Sequence, residues 1–233
     1  MHQTMIHKNM RRMIFIKKLK VLEIFSGTQS ISKAFREAGH ETFTVDFDEV
    51  FQEPEYENTD LFIDVLDLTA EMVLEKFGRP DIIWASPDCK SYSVAGISHH
   101  RRKEENGNLR PISEYAVFCD KVNRHMIKLI KELDPKCFFI ENPRGGMRKM
   151  DFVQDLPRYT ITYCQYGDFR MKPTDIWSNH PNPKFKTMCK NGDPCHARSP
   201  RGSVTGTQGI KGSIERSRIP EEFCKHIVKI SEE

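Results

Sequence analysis

Short β-prone runs alternate with segments of helical period through most of this chain, and that alternation is the strongest constraint on its fold. Residues 20–25 (KVLEIF) read as a buried strand running into the turn Ser26-Gly27-Thr28. Ile31, Ala34, Phe35 and Ala38 then recur at helical spacing, and Gly39 ends the helix. Further β-prone runs cover 42–45, 61–65, 82–85, 137–141 and 159–163. Helices are expected from about 69 to 77 and from 113 to 133, the second marked by Ala116, Val117, Val122, Met126, Leu129, Ile130 and Leu133. This order predicts an α/β, Rossmann-like, doubly wound and mostly parallel sheet spanning 20–175. From 176 to 213 Pro, Gly, Lys and Arg dominate, which predicts a small loop-rich insert. Residues 214–233 read as a closing helix with Pro220 in its first turn. Residues 1–19 carry Lys, Arg, His and Met but no acid, and read as a flexible basic lead-in.

At 233 residues one domain with a sizeable core is expected. A formal net charge of +3 is too small to argue for nucleic acid by itself. Seven cysteines at irregular spacing fit a reducing compartment, so a cytoplasmic location is expected rather than a disulfide framework. No apolar run approaches the roughly 20 residues that cross a bilayer, so no membrane partner is expected.

The chemistry concentrates at two strand ends. The run 82–85 stops at Ser86-Pro87-Asp88, with Cys89 at the mouth of the turn. Cys119, Cys137 and Cys224 fall on apolar faces and read as core, whereas turn-forming polar residues surround Cys89 and leave it accessible. Lys90 would lower its pKa and Asp88 would raise it. The run 137–141 delivers Glu141-Asn142. In a parallel sheet both ends open on one edge, so a thiol and a carboxyl would face one substrate. That is the minimum equipment for nucleophilic attack with acid assistance. The Gly27 turn could cradle a nucleotide-like ligand, although an ordinary βα turn explains a single glycine equally well. Asp46 could accept from ribose hydroxyls and Phe47 could lie on a purine; the plain alternative for Asp46 is a strand-ending turn residue.

Taken in order, these segments resemble the DNA (cytosine-5) methyltransferases, in a compact form like those of bacteriophages. LEIFSGTQSISKAF is similar to the family's first motif, VDFD at 45–48 to its ribose and adenine segment, and Ile63-Asp64-Val65 to its adenine-edge segment. SPDCKSYSVAG resembles the Pro-Pro-Cys-Gln loop, FFIENP the Glu-Asn-Val motif, and QYGDFRMKPTDIW part of the Gln-x-Arg-x-Arg region. The resemblance implies a methyltransferase that uses S-adenosylmethionine, held by Phe25, Ser26, Gly27, Thr28, Asp46, Phe47, Asp64, Val65 and Pro87. It implies that Cys89 attacks C6 of a cytosine turned out of double-stranded DNA, with Glu141, Asn142, Arg170 and Lys172 completing the catalytic set. Lys90, Ser93, His99, Arg101 and Arg102 would sit on a loop that closes over the DNA, and Lys184, Lys186 and Arg201 would serve a target-recognition insert.

Departures from the pattern are specific. Asp88 replaces the proline before the nucleophile, and Lys90 the glutamine after it. Gln29 and Ser30 replace the glycines after Gly27. Arg170 stands where glutamine is expected, and Lys172 and Thr174 replace the two arginines. In the insert, His180, Cys189, Cys195 and His196 could hold a tetrahedral zinc, the plain alternative being a loop with reduced thiols. Three functional readings stay open: a DNA cytosine-5 methyltransferase acting as a monomer, an RNA (tRNA-type) cytosine-5 methyltransferase, and a catalytically weak DNA-binding module.

Overall fold

The computed structural model describes residues 17–190, 192–197 and 212–233. Most of the basic lead-in therefore lies outside the described residues. In chain order the elements are β1 (Lys20–Ile24), α1 (Ser30–Glu37), β2 (Glu41–Asp46), β3 (Leu61–Phe62), α2 (Ala70–Lys76), β4 (Ile82–Ala85), α3 (Ile97–His100), β5 (Arg101–Lys103), β6 (Leu109–Pro111), α4 (Glu114–Leu133), β7 (Cys137–Pro143), β8 (Arg158–Thr162), β9 (Pro173–Ser178), α5 (Ser213–Ser217) and α6 (Glu221–Glu232). Seven strands form one sheet in the order β3-β2-β1-β4-β7-β9-β8. The first five are parallel, and β9 runs antiparallel between β7 and β8. This is the Rossmann-like sheet expected from the alternation. Strand order reverses between β1 and β4, where open α/β sheets bind their ligands.

Both sheet faces are covered, which explains the near-continuous apolar runs. On one face Leu22, Ile24, Val45, Ile83, Ala85 and Ile140 pack against Val73 of α2 and Met126, Leu129, Ile130 and Leu133 of α4. On the other, Val21, Ile82, Trp84, Phe139 and Ile176 meet Ile31 and Phe35 of α1 and Phe223 and Ile227 of α6. Caps mark the helix starts: Ser113 Oγ accepts from Ala116 N (3.1 Å) and Thr69 Oγ1 from Met72 N (3.2 Å).

Two stretches of chain differ from the sequence expectation. The polar stretch 96–111, expected as loop, forms α3 and the hairpin β5–β6. β9 was not expected as a strand, because Pro173 and Asp175 break its pattern. Asp175 is fully buried and is satisfied by Arg148, whose Nε lies 2.9 Å away, and by Thr160 Oγ1 at 2.7 Å. A buried charge with these partners can stand in a central strand.

Helix α1 lacks a side-chain cap on its own N-cap residue, and Glu23 of β1 supplies one, with Oε2 accepting from Ser32 N at 2.9 Å. Burial raises the Glu23 carboxyl from 4.5 to about 7, and the Ser32 hydrogen bond opposes the rise. The folded chain thus keeps a proton that the unfolded chain gives up as pH climbs through this window. The group costs stability progressively from pH 4.5 to about 7, and fully above it. Glu23→Gln is expected to raise unfolding free energy by roughly 1–3 kcal/mol above that window and to change little at its acid end. Urea unfolding at both pH values checks this; an equal effect at both would contradict it.

Candidate active site

Parallel pairing of β4 with β7 puts Ala85 beside Ile140 and carries the chain on to Cys89 and Glu141 at one edge. A side-chain bond locks the two ends, with Asn142 Nδ2 donating to the Pro87 carbonyl at 2.9 Å. The turn itself is held by its backbone. The Cys89 carbonyl accepts from Tyr92 N (3.0 Å) and Ser93 N (2.8 Å), and Asp88 Oδ1 accepts from Lys90 N (2.6 Å). Cys89 is half-buried, and Glu141 is buried with Oε1 accepting from the Tyr163 hydroxyl at 3.0 Å. Tyr163 is a site residue that sequence reading missed; its only sequence signal was its place at the end of an expected strand.

Burial pushes the Cys89 thiol up to about 11, with the Asp88 and Glu141 carboxylates adding to the rise and Lys172 opposing it. Burial also raises Glu141, against the pull of Lys172 and the Tyr163 hydrogen bond. Lys172 is pushed down by burial, while Glu141 draws it back up. Its Nζ donates to the Arg216 carbonyl at 2.9 Å and lies 4.6 Å from the Tyr163 ring centre. The site at rest therefore pairs a protonated thiol with a carboxyl biased toward its acid form. Arg170, expected beside Glu141, is instead clamped by Asp168, its Nε 2.9 Å from both carboxylate oxygens, and reaches Glu215 O at 3.1 Å. Lys172 is the cation that acts on both Cys89 and Glu141.

The adjoining end of β1 is a strained turn. Phe25 (φ 58°), Gly27 (φ 49°) and Gln29 (φ 55°) are all left-handed within five residues. Only the glycine adopts this without cost, and such strain clusters at ligand-binding turns. Gln29 is anchored by its side chain, Nε2 donating to Glu57 O (2.8 Å) and Asn58 O (3.2 Å). Asp46 at the end of β2 accepts from Gly27 N (2.7 Å), Phe47 N (2.8 Å) and Asp48 N (3.0 Å), so it fixes the turn as well as facing the edge. Phe47 and Phe62 are exposed aromatic surfaces at 47% and 48%. Thr28 Oγ1 lies 3.0 Å from Ser30 Oγ, and Asp64 Oδ1 accepts from Leu66 N at 2.9 Å. The Val65 side chain is spent in the core, leaving its backbone for any ligand. Ser26 Oγ and Asn142 Oδ1 are buried without protein partners. Orphaned polar atoms, exposed rings and a left-handed glycine turn together fit a nucleoside-bearing ligand such as S-adenosylmethionine.

The C-5 cytosine-specific DNA methylase family model matches residues 19–173, from the threshold of β1 to the start of β9. The chain belongs to that family. The "Probable DNA (cytosine-5)-methyltransferase" of Frog virus 3 (isolate Goorha) is 28% identical over 219 residues, which are 86% of this chain and 93% of the viral protein. The Type II methyltransferase M.FnuDI of Fusobacterium nucleatum is 27% identical over 141 residues, 59% of this chain and 37% of that enzyme. Among solved structures, the Entamoeba histolytica methyltransferase EhMeth superposes with a TM-score of 0.51 at 12% identity, over 70% of this chain and 52% of its own. That last likeness shows the fold, and the chain spans about half the length of that structure.

The residues expected to face DNA on the loop after Cys89 divide into two groups. His99, Arg102 and Lys90 are exposed, with Lys90 Nζ 5.2 Å from the Tyr115 ring centre. Ser93 Oγ donates to Lys90 O (3.3 Å) and accepts from Gly96 N (3.2 Å), which closes the loop on itself. Arg101 contradicts its assignment. It is buried against Asp120 (Nη2 to Oδ1 2.7 Å), Ser91 O (3.0 Å) and the Tyr92 ring (4.2 Å). Lys184 pairs with Glu233, and Lys186 donates to Gln165 O at 2.7 Å. Both lysines remain exposed. Arg201 lies outside the described residues. His180 does not belong to a metal set, because Nε2 lies 2.9 Å from the Ile230 carbonyl and Nδ1 accepts from Asn182 N at 3.1 Å. Its place beside Cys189, Cys195 and His196 is taken by Cys164.

Removing one partner of a buried ion pair strands the other charge. Arg101→Ala is expected to cost about 3–5 kcal/mol of unfolding free energy. Arg102→Ala should change it by less than about 0.5 kcal/mol. Urea denaturation of the two variants decides this, and a fully stable Arg101→Ala protein would return that residue to the DNA-facing set.

Proposed function

We propose that this chain methylates C5 of cytosine in double-stranded DNA with S-adenosylmethionine as donor, through a covalent bond between Cys89 and C6 of the base. Its chief support is the convergence of Cys89 and Glu141 at one strand edge, beside the ligand-binding turn of β1. A base stacked in a duplex cannot reach a half-buried thiol, so the target cytosine must be extruded into the crevice. C5 of cytosine is a weak nucleophile. Addition of the Cys89 thiolate to C6 shifts the C5–C6 π electrons into the ring toward N3, which takes a proton from Glu141. The ring carbon C5 is then enamine-like. S-adenosylmethionine supplies an electrophilic methyl group on a sulfonium, and Phe25, Gly27, Asp46, Phe47 and Asp64 would hold it. Return of the N3 proton to Glu141, loss of the C5 proton to solvent and expulsion of the Cys89 thiolate restore the aromatic ring.

Each protein group has the protonation bias this scheme needs, except the thiol. Glu141 is raised and can donate. Lys172 is the counter-charge that stabilises the Cys89 thiolate, while Asp88 opposes it. Asn142 fixes the Pro87 carbonyl and hence the position of the sulfur.

Cys89→Ser is expected to abolish transfer of labelled methyl to duplex DNA while S-adenosylmethionine binding by calorimetry is kept, and duplex containing 5-fluorocytosine should trap a covalent adduct at Cys89. Label entering RNA alone, or DNA binding without any adduct, would overturn this reading. Below about pH 11 the alkylation rate of Cys89, followed on its peptide by mass spectrometry, should rise nearly tenfold per pH unit. Asp88→Asn should shift that profile to lower pH and Lys172→Gln to higher pH; a profile indifferent to both would refute the electrostatic account.

A further inference from the structure

Outside the catalytic crevice, among the described residues, the ligand atoms of Cys164, Cys189, Cys195 and His196 all lie within 4.8 Å of one another. Cys164 Sγ is 3.2 Å from Cys189 Sγ and 3.6 Å from Cys195 Sγ. His196 Nδ1 is 3.8 Å from Cys189 Sγ and 3.6 Å from Cys195 Sγ. Zinc bonds of about 2.3 Å to sulfur and 2.0–2.1 Å to nitrogen, arranged tetrahedrally, separate sulfurs by about 3.8 Å and sulfur from nitrogen by about 3.5 Å. Three of the four distances match those edges to within about 0.3 Å. The fourth, Cys164 to Cys189, needs only a small outward shift.

We propose that these four side chains bind one zinc ion as a closed Cys3His structural site. A pocket of reduced thiols would pack cysteines as small hydrophobes and would not recruit an imidazole. Here His196 is buried, its Nδ1 is turned to two sulfurs, and its Nε2 has no protein partner. Regular secondary structure gives the chain around the cluster little support. No helix or strand occurs among the described residues between β9 and α5, and the local apolar cluster consists of Cys164, Met171 and Cys189. A metal supplies the cross-link that so small a core cannot. Cys164 comes from the turn Tyr163–Tyr166 that follows β8, whereas the other three come from the segment after β9. Two backbone N–H groups donate across the same seam, Cys189 N to the Thr162 side chain at Oγ1 (3.1 Å) and Ala197 N to the Phe169 carbonyl (2.8 Å). The ion would therefore tie the segment at the target-recognition position to the turn whose Tyr163 holds Glu141.

The untagged full-length protein, purified under reducing conditions, desalted and analysed by inductively coupled plasma mass spectrometry, is expected to carry about one zinc per chain. Cobalt exchange should give thiolate-to-metal charge transfer and the intense visible bands of a tetrahedral site. Cys195→Ser and His196→Ala should reduce metal content to background, while Cys137→Ser, outside the cluster, keeps it. Because the two measurements on unaltered protein need no variant, misfolding of a variant leaves the test intact. Background zinc in the unaltered protein after incubation with zinc and desalting would overturn the proposal. So would a Cys164–Cys189 disulfide found by peptide mapping, or zinc retained by both Cys195→Ser and His196→Ala.

Discussion

The active edge depends on the register between β4 and β7. Their chemical residues lie some fifty positions apart in sequence, and parallel pairing is what turns that separation into adjacency. A one-residue slip would send Glu141 to the opposite sheet face and Ile140 into the crevice, because side chains alternate along a strand. Two features oppose such a slip. Alternation is enforced by cores on both faces, with Trp84 and Phe139 on one side and Ala85 and Ile140 on the other. The Asn142 bond to the Pro87 carbonyl then ties the strand ends beyond the last ladder pair. The side chain that locks the register thus also sets the position of the sulfur.

Burial then creates a conflict that charge partly resolves. A desolvated crevice favours the neutral form of every group in it, which suits the proton-donor role proposed for Glu141 and opposes the thiolate role proposed for Cys89. Lys172 is a single cation facing both Glu141 and Cys89. One positive charge stabilises one neighbouring anion well and two poorly, so ionisation of the sulfur is coupled to the carboxyl staying protonated. Asp88 adds a third acidic group close to the sulfur. Its carboxylate faces Lys90 N across the turn, a polar cap that a proline at this position would not provide. The substitution therefore stabilises the turn by a hydrogen bond at the expense of thiol acidity.

The sequence showed most of the sheet because its parallel strands are buried on both faces, and burial of that kind writes long apolar runs. The same signal failed for β9, where Asp175 is buried against Arg148 and only a tertiary partner makes the position tolerable. Charge was the weaker guide in general. Arg101 read as a phosphate contact because it lies in a basic cluster with His99 and Lys103, yet it is a core residue held by Asp120 and the Tyr92 ring. No one-dimensional pattern separates a solvated arginine from one paired 19 residues away. Spacing also misled in the cysteine and histidine group. His180 is near Cys189 in sequence but spends both ring nitrogens on backbone groups, whereas Cys164 arrives from another turn altogether. The placement of Cys89 and Glu141 at one edge was legible because each stands at the end of an apolar run, where the fold class alone dictates position.

The chain between β8 and β9 joins these themes. It leaves the sheet through Tyr163, which donates to Glu141, and re-enters through Lys172, the cation that faces it. Lys172 is left-handed (φ 30°), an unfavourable conformation for a side-chain-bearing residue immediately before proline. That strain is offset by anchors on both sides of the connection. Arg170 is clamped by Asp168 and Glu215 O, and Lys172 Nζ is held by Arg216 O. Between these two residues that act on Glu141 lies Cys164, facing Cys189 and Cys195. Whatever fixes that sulfur fixes the adjoining Tyr163 as well. The segment after β9 thus meets the sheet at Cys164, the sequence neighbour of the Tyr163 that donates to Glu141, so two consecutive residues tie it to that carboxyl without a direct contact.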